Sequence, residues 1–412
     1  MSISSQTSHA APLDLIRALR RAGRAAQARA LGAQLAASEN PGCHPGQLGV
    51  DLSYLALYSE AERFLMLGLA DASLSLANRY SLTDELCGVR AILGKYSEAH
   101  EGYRTIRGRA YAEAFRHLIL GDHPLWRSLL PDKLLDMDEP VSGKRILILG
   151  EGGFGDFVMF SRYVEALLRE GAREVVLEHV PGWEGVFRQC ERVSLFLPTE
   201  ERRDLEAARS DRATFGFSLY ARYQRSPDFP FQDASARIAI DPGKVLSDAA
   251  RALLHEAPAG LKVGLIWRSA SGVRHAPYRS MPLNALQPIL SNGKCRFHSL
   301  QVGALSDEER SLLNQYEVTD LAPHLADFGD TARVLEALDL LVTIDTGAAH
   351  LAGALNRPAW VLLPQACDPR WLDCQRCTPW YPSMRLYRQS ELGEWAPPLA
   401  DLAADLSSLS AS

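Results

Sequence analysis

The stretch Lys144-Arg-Ile-Leu-Ile-Leu-Gly-Glu-Gly-Gly-Phe-Gly-Asp156, followed by Phe157-Val-Met-Phe-Ser-Arg-Tyr163, leaves little choice of local structure. Residues 145–149 are apolar or β-favouring, glycines then crowd in, and from Asp156 apolar residues return at helical spacing. The pattern predicts a strand, a tight loop and a helix. Glycines at such a turn let the backbone approach a ligand, and the free N–H groups of the helix start point toward it. An anion is the expected guest.

Two chemistries compete for that loop. Gly150, Gly152 and Gly155 satisfy G-x-G-x-x-G, and the next strand, Glu174-Val-Val-Leu-Glu178, ends in an acid where a dinucleotide fold would hold a ribose. Against a nicotinamide cofactor stands Asp156, a carboxylate at the helix start where a pyrophosphate should lie. It suits proton abstraction better. The plain alternative is an acid capping the first turn.

With 412 residues, 47% hydrophobic and 23% charged, the chain is long enough for two or three domains. A net charge of −6 with dispersed Lys and Arg gives no footprint for nucleic acid. The first ten residues lack the basic start and apolar run of a secretory signal, and no apolar run reaches membrane-spanning length, so the cytoplasm is the expected location. Seven cysteines, an odd number, are expected to be reduced thiols, although Cys367, Cys374 and Cys377 fall within eleven residues.

Residues 1–130 read as an all-α region of short helical patterns. Glycines at 23, 68, 94 and 121 are spaced 45, 26 and 27 apart, short of a regular period, so a degenerate helical array and a plain helical cap both fit. Residues 131–143 read as a linker with Pro131 and Pro140. Strand–helix alternation then fills 144–255, with one helix over 157–170 and an aromatic, proline-containing loop over 215–231. It starts afresh through 261–412 with strands at 261–267, 295–301, 338–344 and 359–363. The expected fold class is α/β: two facing Rossmann-like domains after an all-α helical-repeat region, with a return helix at 399–409 crossing onto the first lobe.

The second strand-to-helix turn, Asp345-Thr-Gly-Ala-Ala-His350, carries functional residue types. Thr346 and the backbone of Gly347 and Ala348 can donate to a phosphate, with His350 one turn inward; the bland alternative is a helix cap and a core histidine. Between the two turns lies a basic loop with Arg268, Arg274 and Arg279, able to neutralise a leaving diphosphate or simply to be solvated.

These motifs in this order resemble the heptosyltransferase-type glycosyltransferase family nine: Glu151-Gly-Gly-Phe-Gly-Asp156, Gly264-Leu-Ile-Trp267, Arg279-Ser-Met-Pro-Leu283, Asp345-Thr-Gly-Ala-Ala-His350 and Ser383-Met-Arg-Leu-Tyr-Arg-Gln389. More narrowly, the chain resembles the bacterial branch with tetratricopeptide repeats before the catalytic unit. The resemblance implies a GT-B fold, acceptor lobe first and nucleotide-sugar lobe second. It implies Asp156 as general base, and Gly153, Gly155, Arg268, Arg279, Gln301, Thr346, Gly347, Ala348 and His350 around an ADP-, UDP- or GDP-linked sugar donor. No catalytic metal is implied. Many relatives have Glu-Gln-Gly-Leu-Gly-Asp at the first turn. The three close cysteines resemble the iron-binding set of autotransporter heptosyltransferases, one ligand short of the usual four, leaving Zn, Fe or free thiols open.

The function expected is inverting transfer of a hexose or heptose to an acceptor hydroxyl, on a protein or glycan, with copies of the chain as a further partner. Its rivals are a transferase-like binding or scaffold protein without turnover, and an NAD-dependent oxidoreductase.

Overall fold

The computed structural model describes residues 11–109, 132–224, 237–255, 260–269 and 276–410. Its first helices, α1 (Ala11–Arg21), α2 (Ala25–Ala37), α3 (Pro45–Ser53), α4 (Tyr58–Leu69), α5 (Leu76–Ile92) and α6 (Tyr96–Ile106), pack as successive hairpins, α1 on α2, α3 on α4 and α5 on α6. Each hairpin turns on one residue at positive φ: Gly23 at 70°, Ala56 at 54° and Gly94 at 72°. Those turns are 33 and 38 residues apart, close to the ~34-residue tetratricopeptide period. Just past the second and third, Tyr58-Ser-Glu-Ala61 recurs as Tyr96-Ser-Glu-Ala99. Ala28, Ala61 and Ala99 are buried at matching places.

The glycine spacing therefore misleads. Gly68 lies inside α4, where an added Cβ would stand 2.5 Å from the Gly46 backbone, and the middle turn uses Ala56 instead. A left-handed alanine costs ~1 kcal/mol or more, which burial of Leu55 and Leu57 beside it offsets. Residues 110–131 lie outside the described residues.

The first lobe is a parallel sheet of β1 (Arg145–Leu149), β2 (Glu174–Glu178), β3 (Val193–Phe196) and β4 (Arg212–Phe215), in the order β3-β2-β1-β4. β1 is buried at every position, as a parallel strand covered on both faces must be. The helix expected over 157–170 is in fact two, α7 (Phe154–Phe160) and a second at Tyr163–Arg169. Ser161 Oγ donates to the carbonyl of Val158 and Arg162 Nε to that of Met159, so side chains compete for helix acceptors at the break.

Two further expectations change here. Residues 132–143 do not behave as a free linker, because Leu134, Leu135 and Val141 are buried and Leu134 pairs with Ala213 beside β4. Of the aromatic loop over 215–231, the part to 223 is helix α8 (Gly216–Tyr223), packed on α7 and α6, while 225–236 lies outside the described residues. Pairing of apolar and aromatic side chains at helical spacing wins there over the turn-like composition.

The second lobe contains β5 (Leu261–Ile266), β6 (Cys295–Ser299), β7 (Thr319–Asp320), α9 (Phe328–Ala337), β8 (Leu340–Ile344), α10 (Gly347–Ala354), β9 (Ala359–Leu363), β10 (Met384–Arg388) and α11 (Ala396–Leu409). Its parallel sheet runs β10-β9-β8-β5-β6-β7, the doubly wound order 3-2-1-4-5-6 counted within the lobe. The molecule is thus α/β, two facing Rossmann-like lobes after a helical region, the GT-B arrangement. α11 does not cross to the first lobe. It packs on β10 and the helix Gln287–Leu290, with Leu399, Leu402 and Leu406 in the second lobe's own core.

The lobes touch where α7 meets α10. A Cβ on Gly155 would stand 2.6 Å from His350 Cδ2, and one on Gly347 would stand 2.9 Å from Phe154 Cδ1. Phe154 stacks on Phe328 of α9 with ring centroids 3.4 Å apart. No helix among the described residues is long and apolar enough to cross a membrane.

Candidate active site

At this junction opens a cleft of about 430 Å³ lined from both lobes. Asp156, Gly153, Gly155, Arg268, Arg279, Gln301, Thr346, Gly347, Ala348 and His350 all line it, so ten residues spread over two hundred positions meet on one surface. On the second lobe the cleft sits past the ends of β5 and β8, where the strand order reverses and α/β sheets bind ligands.

The second-lobe wall is built by the turn into α10. Thr346 caps that helix, its Oγ1 accepting from Ala349 N at 3.4 Å, and the N–H groups of Gly347 and Ala348 find no acceptor among the described residues. Those two donors face the cleft with the positive end of the helix behind them. Asp345 lies beneath, accepting from Arg279 Nη2 at 2.5 Å with His350 Nε2 3.6 Å away. Burial alone would raise this carboxyl, but Arg279 and His350 outweigh it and hold it well below the usual carboxylate range. His350 is buried, its Nδ1 3.2 Å from the Tyr381 hydroxyl and its ring stacked on Trp371. The core-histidine alternative describes most of its surroundings.

The first-lobe wall overturns the expected anion guest at the glycine turn. Asp156 Oδ2 accepts from Gly153 N at 2.7 Å, so the start of α7 already holds a carboxylate of its own. Glu178, the candidate ribose acid, is gripped by Arg203 through two hydrogen bonds of 3.2 and 2.5 Å. Neither group that a dinucleotide needs is open. Gly155 serves the approach of α7 to α10 rather than a phosphate, whereas Gly152, at φ 80°, needs glycine for the turn itself.

The predicted basic residues line the cleft, but their charges are spent elsewhere. Arg268 donates to Glu309 at 2.9 and 3.2 Å, and Arg279 is committed to Asp345. Gln301 spends its amide on backbone, accepting from Trp267 N and Arg268 N and donating to Arg268 O and Val302 O. It is a staple for the β5 loop. Arg274 lies outside the described residues.

Sequence reasoning missed the cation that does face Asp156. Arg370 Nη1 pairs with Asp156 Oδ1, while its Nε and Nη2 donate to the two oxygens of Asp368 at 2.7 Å each. Arg370 and Asp156 keep 17% and 14% of their side-chain surface exposed, enough for a ligand to touch both. The signal available was one of the two arginines, Arg370 and Arg376, inside the cysteine-containing segment after β9. Those cysteines do not converge: Cys367 is buried against Arg388 Nη1 at 2.9 Å, Cys374 is half-buried and Cys377 exposed. Among the described residues no three His, Cys, Asp or Glu side chains form a metal-holding group.

Beyond Asp156 lies a second, small crevice of about 30 Å³ on the first lobe, lined by Phe157, Phe160, Leu177, Trp183 and Leu219. Asp156 lines both spaces.

Protein FlbA of Caulobacter vibrioides is 28% identical over 338 residues, which is 78% of this chain and 54% of that protein. The chain thus spans about half the length of that curated relative. The glycosyl transferase family 9 structure from Veillonella parvula is similar at a TM-score of 0.44 and 11% identity, over 62% of this chain and 88% of that one. The E. coli ADP-heptose lps heptosyltransferase II is similar at 0.42 and 16% identity, over 65% and 98%. Residues 304–363, which carry β7, β8, α10 and β9 of the cleft wall, match the model of glycosyltransferase family 9 (heptosyltransferase). Within this chain, residues 304–363 are therefore similar to glycosyltransferase family 9 (heptosyltransferase).

Proposed function

We propose that the chain is an inverting glycosyltransferase that moves a sugar from a nucleoside diphosphate to an acceptor hydroxyl. The observation that carries this is the place of Asp156 where two crevices meet, one ending at the open N–H groups of α10, the other on the first lobe. In that reading the diphosphate sits on Gly347 and Ala348, and the acceptor's hydroxyl reaches Asp156 from the side of Phe157, Phe160 and Trp183. A base on one wall and an anion site on the other suit an in-line displacement. The acceptor O–H proton passes to Asp156 as the oxygen attacks the anomeric carbon, and the C–O bond to phosphate breaks toward the donors of the α10 turn.

The acceptor proposed is a protein. The helical hairpins present Leu15, Met66, Leu67 and Leu76 to solvent, and such arrays use extended faces to hold chains. A second reading, a nucleotide-binding scaffold without turnover, is favoured by the pairing of Arg268 and Arg279 with carboxylates.

The test is a thermal-shift panel of the full chain against ADP, UDP, GDP and NAD. A nucleoside diphosphate at a hundred times its Kd should stabilise by about 2.7 kcal/mol. Stabilisation by NAD alone would remove the donor reading, and diphosphate binding with no release from any nucleotide-sugar would favour the scaffold.

A further inference from the structure

We propose that Arg370 is a shared guanidinium that masks Asp156 in the empty cleft and passes to the donor diphosphate when it binds, which frees Asp156 for the acceptor hydroxyl. This rests on the transferase reading above and adds an order to it, donor before acceptor.

Nε and Nη2 of the guanidinium are held by Asp368, which also accepts from Arg370 N at 3.0 Å, so Nη1 is the nitrogen left to exchange partners. Only Nη1 points elsewhere, and it meets Asp156 Oδ1. The other oxygen of Asp156 is used by Gly153 N. Oδ1 is therefore the oxygen that the turn's own backbone leaves to other partners, and Arg370 meets it. Arg268 and Arg279 are held by Glu309 and Asp345, so among the described basic side chains that line the cleft Arg370 alone pairs across to the first lobe.

A diphosphate at the α10 turn brings a dianionic competitor for Nη1 into the space that Arg370 and Asp156 both line. Once Nη1 turns to phosphate, Oδ1 receives the proton of the acceptor O–H. The acceptor oxygen bonds the anomeric carbon, and the electrons of the broken C–O bond stay on the diphosphate. Other charges near Asp156 are already matched: Glu151 of its own turn by Arg107, Glu178 of β2 by Arg203, Asp345 by Arg279. His350 of α10 lies against Gly155 with its ring nitrogens near Tyr381 and Asp345. Removing Arg370 should thus change the titration of Asp156 and also leave Asp368, whose carboxyl burial and Asp345 push up to about 7, without its guanidinium partner, so Arg370→Lys, which keeps the charge, is the control for that second effect.

The experiment compares wild type with Arg370→Gln and Arg370→Lys by calorimetry with ADP, UDP and GDP, and by the pH profile of nucleotide-sugar turnover. In wild type the acid limb of kcat/KM, which reports the free enzyme, should lie at lower pH than that of kcat, which reports the donor-bound state. In Arg370→Gln the limbs should coincide, and nucleoside diphosphate affinity should fall roughly ten- to a hundredfold. Arg370→Lys, which keeps the charge without the fork, should shift both in the same direction by less, and it stands in if the glutamine variant does not fold. A merely structural arginine would lower activity and leave the separation of the limbs intact; that result, with unchanged affinity, would overturn the assignment. If wild type binds none of the three nucleotides, the donor reading beneath it fails instead.

Discussion

His298 on β6 has no exposed surface, and neither ring nitrogen finds a partner among the described residues. Burial, with Lys262 adding to it, brings its pKa down to about 4. The unfolded chain keeps a histidine near ~6.5 and so binds the proton more readily between those values. Stability from this site is intact above ~6.5, falls as pH drops through that value, and stops falling near 4. Denaturant melts at pH 7 and pH 5 should differ by about 2 kcal/mol more in wild type than in His298→Gln. Equal differences would mean that another group titrates. At this scale the sequence was readable for residue type and place, less so for what each side chain does. Asp156, Thr346 and His350 all reach the cleft, yet Arg268, Arg279 and Gln301 are already bonded to neighbours that only folding brings near. Arg370 was passed over because its partners, Asp156 and Asp368, lie on different lobes.

Among the elements, α7 and α10 decide how closely the lobes approach. Gly155→Ala would push a methyl to 2.6 Å from the His350 ring, so it should cost ~1–3 kcal/mol and lower the Tm by several degrees. Gly153→Ala, two residues earlier, meets its nearest atom, Asp156 Oδ2, only at 3.9 Å and should stay within about 0.5 kcal/mol. Calorimetric melts that rank the two the other way would contradict the packing described. Strands were the most legible elements, because parallel strands buried on both faces leave continuous apolar runs such as 145–149 and 340–344. Helix ends were less so: the break at Ser161 depends on side-chain bonds to carbonyls, and the docking of α11 on its own lobe depends on which apolar face is already covered.

Over the whole molecule, the helical region is joined to both sides of the Asp156–Arg370 pair. Arg107, just past α6, donates to Glu151 of the glycine turn at 2.6 Å, and Glu151 also accepts from Phe217 N at 3.1 Å. On the other side Gly88 of α5 admits Pro369, next to Arg370, where an added Cβ would stand 2.8 Å away, and Tyr96 bonds Asp373. Arg107→Met should therefore lower turnover about tenfold while nucleoside diphosphate affinity, set on the second lobe, is unchanged; a loss of affinity with turnover intact would contradict that division. None of these contacts had a signature in the sequence, since they join positions 44 to 281 residues apart. The central claim is that Asp156 accepts the proton while the donor rests on the second lobe. Its most direct test is the rate of nucleoside diphosphate release from a nucleotide-sugar by wild type and Asp156→Asn, each saturated with the donor and acceptor that the wild type uses. The account predicts a fall of roughly 10²–10⁴ with nucleotide affinity kept, and equal rates in the two proteins would contradict it.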